Sequence, residues 1–155
     1  MRDFCKFISV SAVTAMAVFI CAANANGQEL ASAGATKPLA LRSVMERLGR
    51  DMQSATGAIS KEEWAAVAEL APKIANHAEP PASEKIRIVS WLGSEAGKFR
   101  SFDKQAHEAA SAMGEAAKRR DGQAVIAAFS RVQQSCLGCH QSFRSSFVEH
   151  FYGSR

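Results

Sequence analysis

The pentapeptide Cys136-Leu137-Gly138-Cys139-His140 limits what this chain can fold into more than any other feature. Its two thiols stand about one helical turn apart, and an imidazole follows directly. This is the spacing of covalent haem attachment, in which two thiols add to the two vinyl groups of one porphyrin and the histidine reaches the iron. A haem tethered near the C-terminus predicts a last helix that carries it and earlier helices that bury it.

The residues around this motif repeat at the spacing of an amphipathic helix. At about 100° per residue, the repeating positions fall within a band roughly 60° wide. The pattern predicts a helix over about 122–149 with one apolar face, so that His140 points toward the core. The residues of this face are Val125, Phe129, Val132, Cys136, His140, Phe143 and Phe147.

Two helices are predicted in the first half of the mature chain. The first covers about 38–58, where apolar residues recur at three- and four-residue steps. The second begins at a capping box formed by Ser60 and Glu63. Pro72 is expected to kink this second helix or to end it early, because proline lacks the N–H that the helix needs.

A third helix is predicted over about 94–119, and Asp121 is expected to cap the motif helix that follows. Four amphipathic helices with mostly short links predict an all-α fold, an antiparallel up-down four-helix bundle with covalently attached haem. A short extra helix is expected between Ser83 and Gly93, with three inward-facing side chains: Ile86, Val89 and Trp91.

The N-terminus has the features of a secretory signal. Arg2 and Lys6 form a basic start, and an apolar stretch follows. Ala23-Asn24-Ala25 then fits the small-residue pattern of a cleavage site. An uncleaved membrane anchor is the alternative interpretation.

The expected organisation is a cleaved signal peptide over 1–25, a flexible leader over 26–37 and a cytochrome domain over 38–155. Export by this signal predicts a periplasmic location. No second apolar stretch of membrane-spanning length follows, so stable membrane insertion after cleavage is not expected.

The charge pattern excludes a nucleic-acid surface. The chain has 19 basic and 15 acidic residues, a formal net charge of +4, and both signs are scattered along it. Signal cleavage would leave two cysteines, Cys136 and Cys139, and a bridge between them would close too small a loop to restrict the chain.

Other readings of the motif lack the partners they need. A zinc site requires two more Cys or His ligands at tight spacing, whereas His77, His107 and His150 are far apart in the sequence. A thioredoxin-like dithiol requires a βαβ setting, and no strand pattern of useful length occurs.

Helical periodicity does not decide which residue binds the iron on the side opposite His140. A thioether sulfur is a natural partner of histidine-ligated haem iron and raises its reduction potential. Methionines on the apolar face of a helix also commonly serve only to fill the hydrophobic core. The methionine candidates are Met45, Met52 and Met113, and the histidine alternatives are His77, His107 and His150.

With these motifs in view, the chain resembles the class II c-type cytochromes, the cytochrome c-prime superfamily. The likeness covers roughly 38–150. It is carried by the C-x-x-C-H motif, by Phe143-Arg144 after it, and by the first-helix segment from Val44 to Met52. The same family's fold is a four-helix bundle.

The first-helix segment is similar to the low-spin branch of that superfamily, in which a methionine is the sixth ligand. Matching Gly49-Arg50 to the Gly-Arg pair of that branch puts Met45 at the ligand position. The resemblance also implies that Arg144 lies near the proximal histidine and that Arg42 reaches a haem propionate.

The expected function is that of a periplasmic electron carrier rather than an enzyme. One haem c would be held by Cys136 and Cys139, with His140 and Met45 on its iron, and redox proteins of the periplasm would be its partners. The alternative is a five-coordinate, high-spin protein that binds or scavenges nitric oxide or carbon monoxide. A peroxidase would need a distal acid–base pair, which the sequence does not offer. Bundles of this kind can form homodimers, and no residue here decides it.

Overall fold

The computed structural model describes residues 38–153, and every regular element within them is helical. The predicted signal peptide (1–25) and leader (26–37) lie outside the described residues. A 3₁₀ turn precedes the fourth helix, and a π-helical segment joins the last two. The elements are α1 (Ala40–Ser60), α2 (Trp64–Ala75), α3 (Ala82–Leu92), the 3₁₀ turn (Gly93–Glu95), α4 (Ala96–Lys118), α5 (Gly122–Cys139), the π segment (His140–Arg144) and α6 (Ser145–Tyr152).

The helices α1, α2, α4 and α5 form the four-helix bundle, which confirms the predicted all-α fold. Short turns over 61–63 and 119–121 reverse the chain between α1 and α2 and between α4 and α5. The longer link between α2 and α4 contains α3. Within 38–153, no helix is long and apolar enough to cross a membrane.

The bundle core is the buried cluster between these four helices, and most of its members are alanines. Its largest fully buried side chains are Met113, Val67, Val125 and Val132. Gly114 shows how closely the helices approach, because a Cβ there would lie 2.9 Å from the Cβ of Ala71 on α2. Small side chains therefore set the spacing of α2 and α4.

One predicted cap is confirmed and one is wrong. Asp121 caps α5, since the N–H of Ala124 donates to its Oδ1 at 3.0 Å. Ser60 does not open α2: it is the last residue of α1, and its hydroxyl donates to the carbonyl of Thr56 at 2.9 Å. The helix continues two residues past the predicted end at 58, with Ile59 half-buried, and a tight turn follows.

The inward face of α3 also differs from the prediction. Ile88 and Leu92 are buried, whereas Ile86 is 67% exposed and Val89 is 45% exposed. Trp91 is half-buried. This helix is short and apolar on several sides, so its partner decides which side is covered. That partner is a second cluster at one end of the bundle.

We call this second cluster the aromatic cluster. It is built on α3, the first half of α4, the π segment and α6, and it is rich in rings rather than alanines. The buried members are Ile88, Leu92, Ala96 and Phe143, and the half-buried ones packed against them are Leu41, Trp91, Phe99, Phe102, Cys139, Phe147 and Phe151.

Candidate functional site

A cavity of about 480 Å³ lies between α1, the end of α2, α4 and the end of α5. This volume is within the range of about 300–1,000 Å³ that is typical of ligand sites. Most of its lining is apolar. The three reactive side chains of the pentapeptide, Cys136, Cys139 and His140, all line it.

The pentapeptide lies where the helix geometry changes. Cys139 is the last residue of α5, and His140 begins the π segment. Turns of this kind insert one extra residue into a helix and are frequent at functional sites. Both cysteines are free and half-buried, and His140 is exposed at the cavity rather than packed in the core.

Burial keeps the two thiols protonated near neutral pH. Burial raises the pKa of Cys136 above its ordinary value. It also raises the pKa of Cys139 to about 11, with smaller contributions from the charges of Cys136 and Asp103. Because the thiolate is the reactive form, these thiols are poor nucleophiles in the folded chain.

Packing leaves no room for a side chain at Gly138 of the motif. A Cβ on this residue would lie 2.6 Å from Cε1 of Phe102, closer than real Cβ contacts allow. The ring of Phe102 therefore packs directly on the backbone of α5 between the two cysteines. Phe102 also lines the cavity and lies 6.5 Å from the ring of Phe143.

The wall contributed by α1 carries two sulfur atoms. Met45 and Met52 both line the cavity, the first 40% exposed and the second half-buried. Met113 is fully buried in the bundle core and does not line the cavity. The structure therefore brings together the motif and two of the three candidate methionines.

Among the candidate histidines, His77 lines the cavity. Its Nδ1 donates to the carbonyl of Ile74 at 3.1 Å, and its Nε2 lies 3.4 Å from Oδ1 of Asp103. The hydrogen bond to Asp103 raises the pKa of His77, partly offset by burial. His107 and His150 are not part of the lining, and His150 stacks on Trp91 at 5.7 Å.

Neither predicted arginine is part of the cavity lining. Arg42 is exposed and pairs with Glu46 one turn along α1, with Nε 3.0 Å from Oε1. Arg42 and Met45 are three positions apart on α1, so their side chains point in directions that differ by roughly 60° around the helix. Arg144 is exposed in the π segment.

Sequence reasoning missed Asp103 and Phe102 as cavity residues, and it named His77 only as an alternative iron ligand. The spacing of Phe99, Phe102 and Ala106 on α4 indicated an apolar face, and all three line the cavity. Nothing in the spacing indicated that Asp103, between two of them, would meet a histidine from the end of α2.

The donor set of the cavity fits a covalently held haem. Two free thiols, an adjacent imidazole and two thioethers face one apolar space. A closed zinc site does not fit, because no group of three or more His, Cys, Asp or Glu side chains among the described residues could hold a metal ion.

The sequence model of the family described as Cytochrome C' matches residues 40–144. The match begins at the first residue of α1 and ends at the last residue of the π segment, so it contains the whole bundle and the pentapeptide. No curated protein and no solved structure matches the chain at a significant level.

Proposed function

The chain belongs to the cytochrome C' family, whose members carry a covalently attached c-type haem, and we propose that it is a carrier of single electrons. Members of the family are generally periplasmic, and no enzymatic role is indicated for them. The observation that carries the proposal is that Met45 lines the same cavity as His140. Redox proteins of the periplasm would be its partners.

In this proposal, Cys136 and Cys139 would hold the haem and His140 would bind its iron. Met45 would be the second iron ligand, on the strength of its position in the cavity lining and the likeness around Gly49-Arg50. When bound, the haem supplies a one-electron couple. The chain fixes the ligands, and its apolar lining limits water and so tunes the potential.

The two arginines keep their sequence-based roles as predictions only. Arg42 would have to leave Glu46 to reach a propionate, and exposed pairs of this kind are worth at most about 1 kcal/mol. Arg144 lies four residues after His140, one turn along the helix. Members of the family often form homodimers, which is our expectation for this chain as well.

The alternative is a high-spin protein that binds nitric oxide or carbon monoxide. One observation favours it: Met45 is 40% exposed, so the side chain is not locked in place by packing. A methionine that leaves the iron easily would open the sixth position to a diatomic gas. Membership of the cytochrome C' family is at least as consistent with gas binding as with electron transfer.

The absorption spectrum of purified holoprotein separates the two functions. A weak red sulfur-to-iron charge-transfer band in the ferric form, with little change on adding carbon monoxide, supports the electron carrier. A broad high-spin Soret band that shifts readily with carbon monoxide overturns it in favour of gas binding. Colourless protein from a host with a working cytochrome maturation system would exclude both.

Two variants test the axial ligand itself. Met45→Ala should make the iron high-spin and lower its reduction potential, because the sulfur that stabilises the ferrous form is lost. Met52→Ala is the matched control, since this methionine also lines the cavity and lies on the same helix. Loss of sulfur ligation in Met52→Ala, and not in Met45→Ala, would show that Met52 is the iron ligand. The match of Gly49-Arg50 to the Gly-Arg pair of the low-spin branch would then be wrong.

A further inference from the structure

Two histidines bind the C-terminal end of α2. Nδ1 of His77 donates to the carbonyl of Ile74 at 3.1 Å, and Nδ1 of His107 donates to the carbonyl of Ala75 at 2.6 Å. The last carbonyls of a helix lack partners within the helix, and histidine side chains commonly satisfy them. Both rings therefore have a structural role at the same helix end.

Only one of the two rings also faces the cavity. His77 is part of the lining and its side chain is 21% exposed, whereas His107 is exposed and not part of the lining. Only His77 has a carboxylate partner, with its Nε2 3.4 Å from Oδ1 of Asp103. With a carbonyl at one nitrogen and a carboxylate at the other, both nitrogens are placed to carry protons.

The charged groups around His77 come from three elements. Asp103 of α4 is its direct partner, and Glu79 in the following loop adds a second negative charge. His107, also on α4, contributes to lowering the pKa of Asp103, and Asp103 in turn contributes to raising the pKa of Cys139 at the end of α5. α1 contributes only uncharged side chains to the cavity.

We propose that His77 is the proton-binding group of this redox site: its affinity for a proton from solvent rises when one electron enters the cavity and falls again on oxidation. The inference rests on the proposed function, since it requires a one-electron couple in the cavity. The electron comes from a reduced redox protein, the proton adds to the free nitrogen of the neutral ring, and no bond in the chain breaks.

The physical cause is electrostatic. An added electron makes the cavity more negative, which favours the charged imidazolium in its wall, and by linkage the proton then favours the reduced state. For unit charges separated by the width of such a cavity, an effective dielectric constant of about 20 gives a change in proton affinity on the order of tenfold. A tenfold change corresponds to about 59 mV for a one-electron couple.

The pH window follows from the surroundings of the ring. The pKa of His77 lies above its ordinary value because of Asp103, so in acid the ring is charged in both redox states and the potential is flat. The potential then falls as pH rises through the pKa of the oxidised protein, and becomes flat again above the pKa of the reduced protein.

The test is the midpoint potential of the holoprotein, measured by an electrode titration from about pH 5 to about pH 9, the range in which histidines titrate. Wild type should show the fall, and His77→Gln should lose it while remaining reversible. His107→Gln should keep it, because that ring binds the same helix end without facing the cavity. Asp103→Asn should move the fall to lower pH.

NMR titration of the His77 ring in the ferric and ferrous holoprotein provides a readout that does not depend on any variant. We expect its pKa to be about one unit higher in the ferrous protein, the equivalent of the tenfold coupling. Equal pKa values in the two states, or a full pH dependence retained in His77→Gln, would overturn the inference. Loss of a reversible one-electron couple in wild type would instead overturn the proposed function.

Discussion

The bundle core and the aromatic cluster meet on α4 and hold their helices together by different means. The bundle core is mostly alanine, and its helices approach so closely that a Cβ added to Gly114 would lie 2.9 Å from the Cβ of Ala71. The aromatic cluster uses rings, with Phe99 and Phe143 packed edge to face at 5.6 Å. Because interaxial distance depends on the side chains between helices, small residues close the bundle at one end and large ones keep it apart at the other. The cavity lies at the second end.

This contrast separates stability from site geometry. A side chain of the bundle core should affect how firmly the helices associate and leave the cavity unchanged. A ring of the aromatic cluster should affect both, because Phe99 and Phe102 belong to the cluster and to the cavity lining.

The largest effect is expected for Phe143→Ala in the aromatic cluster. Phe143 is 7% exposed and contacts the rings of both Phe99 and Phe102. Truncation of a buried phenylalanine typically lowers the free energy of unfolding by about 3–5 kcal/mol. The haem absorption spectrum of the holoprotein should change as well, since this ring supports the wall beside His140. Urea denaturation and the spectrum measure the two effects.

Met113→Ala is the matched control from the bundle core. Met113 is fully buried, and its truncation should cost about 2–5 kcal/mol. The haem spectrum should be that of wild type, because Met113 does not line the cavity. A spectral change as large as that of Phe143→Ala would mean that the two regions are not separable.

A smaller effect is expected for Gly138→Ala, which tests how tightly the cluster packs on the motif. The added Cβ would lie 2.6 Å from Phe102, and overpacking of this kind costs about 1–3 kcal/mol. A second change, Phe102→Leu, should recover part of the loss. Gly57→Ala is the control: nothing lies within 4 Å of a Cβ built there and Gly57 does not line the cavity, so alanine should stabilise α1 by about 0.5–1 kcal/mol.

Asp121→Ala should have a modest effect that stays at the far end of the bundle. The side chain accepts the N–H of Ala124 and caps α5, and loss of such a cap costs about 1 kcal/mol. Thermal denaturation should detect this loss. A changed haem spectrum would contradict the view that the two ends act independently.

The smallest effect is the pH dependence of stability from His77 and Asp103. The raised pKa of His77 gives stability that is present below its ordinary pKa and lost as pH rises through the raised one. The lowered pKa of Asp103 gives stability that is present above its ordinary pKa and lost as pH falls through the lowered one. The pair should therefore stabilise the chain most in mildly acidic solution, between the ordinary pKa values of the two groups, by less than about 1 kcal/mol because Asp103 is 61% exposed. Urea midpoints of wild type and His77→Gln should converge in alkali.

The sequence predicted the bundle well because helical periodicity directly reports a long buried face. The stripe through Val125 and Val132 lies in the bundle core as expected, and Asp121 caps α5. The pentapeptide predicted the place of the site because C-x-x-C-H spacing has a chemical meaning of its own. The sequence could not show that Met113 lies outside the cavity, because Met113 lies on the apolar face of a helix just as Met45 and Met52 do. The structure was needed to separate them.

The aromatic cluster was harder to predict because it depends on contacts between distant segments. In α3 the apolar residues surround a short helix, so periodicity favoured Ile86 and Val89, which the structure leaves exposed. The approach of His77 to Asp103 joins the end of α2 to the middle of α4, and no local pattern encodes such a meeting. Ser60 was assigned to the wrong helix because a capping-box pattern also fits a serine that ends a helix.

The hydrogen bond between Ala40 and Glu84 affects the position of Met45 along the axis of the bundle. The N–H of Ala40, at the first residue of α1, donates to Oε1 of Glu84 on α3 at 2.8 Å. A helix that slides along its neighbours must break any contact made at its tip, so this bond opposes axial movement of α1. The position of Met45 relative to His140 along the bundle axis therefore depends partly on α3, which is not one of the four bundle helices. A change in the length of the link between α2 and α3 should therefore shift Met45 along the cavity wall through this hydrogen bond.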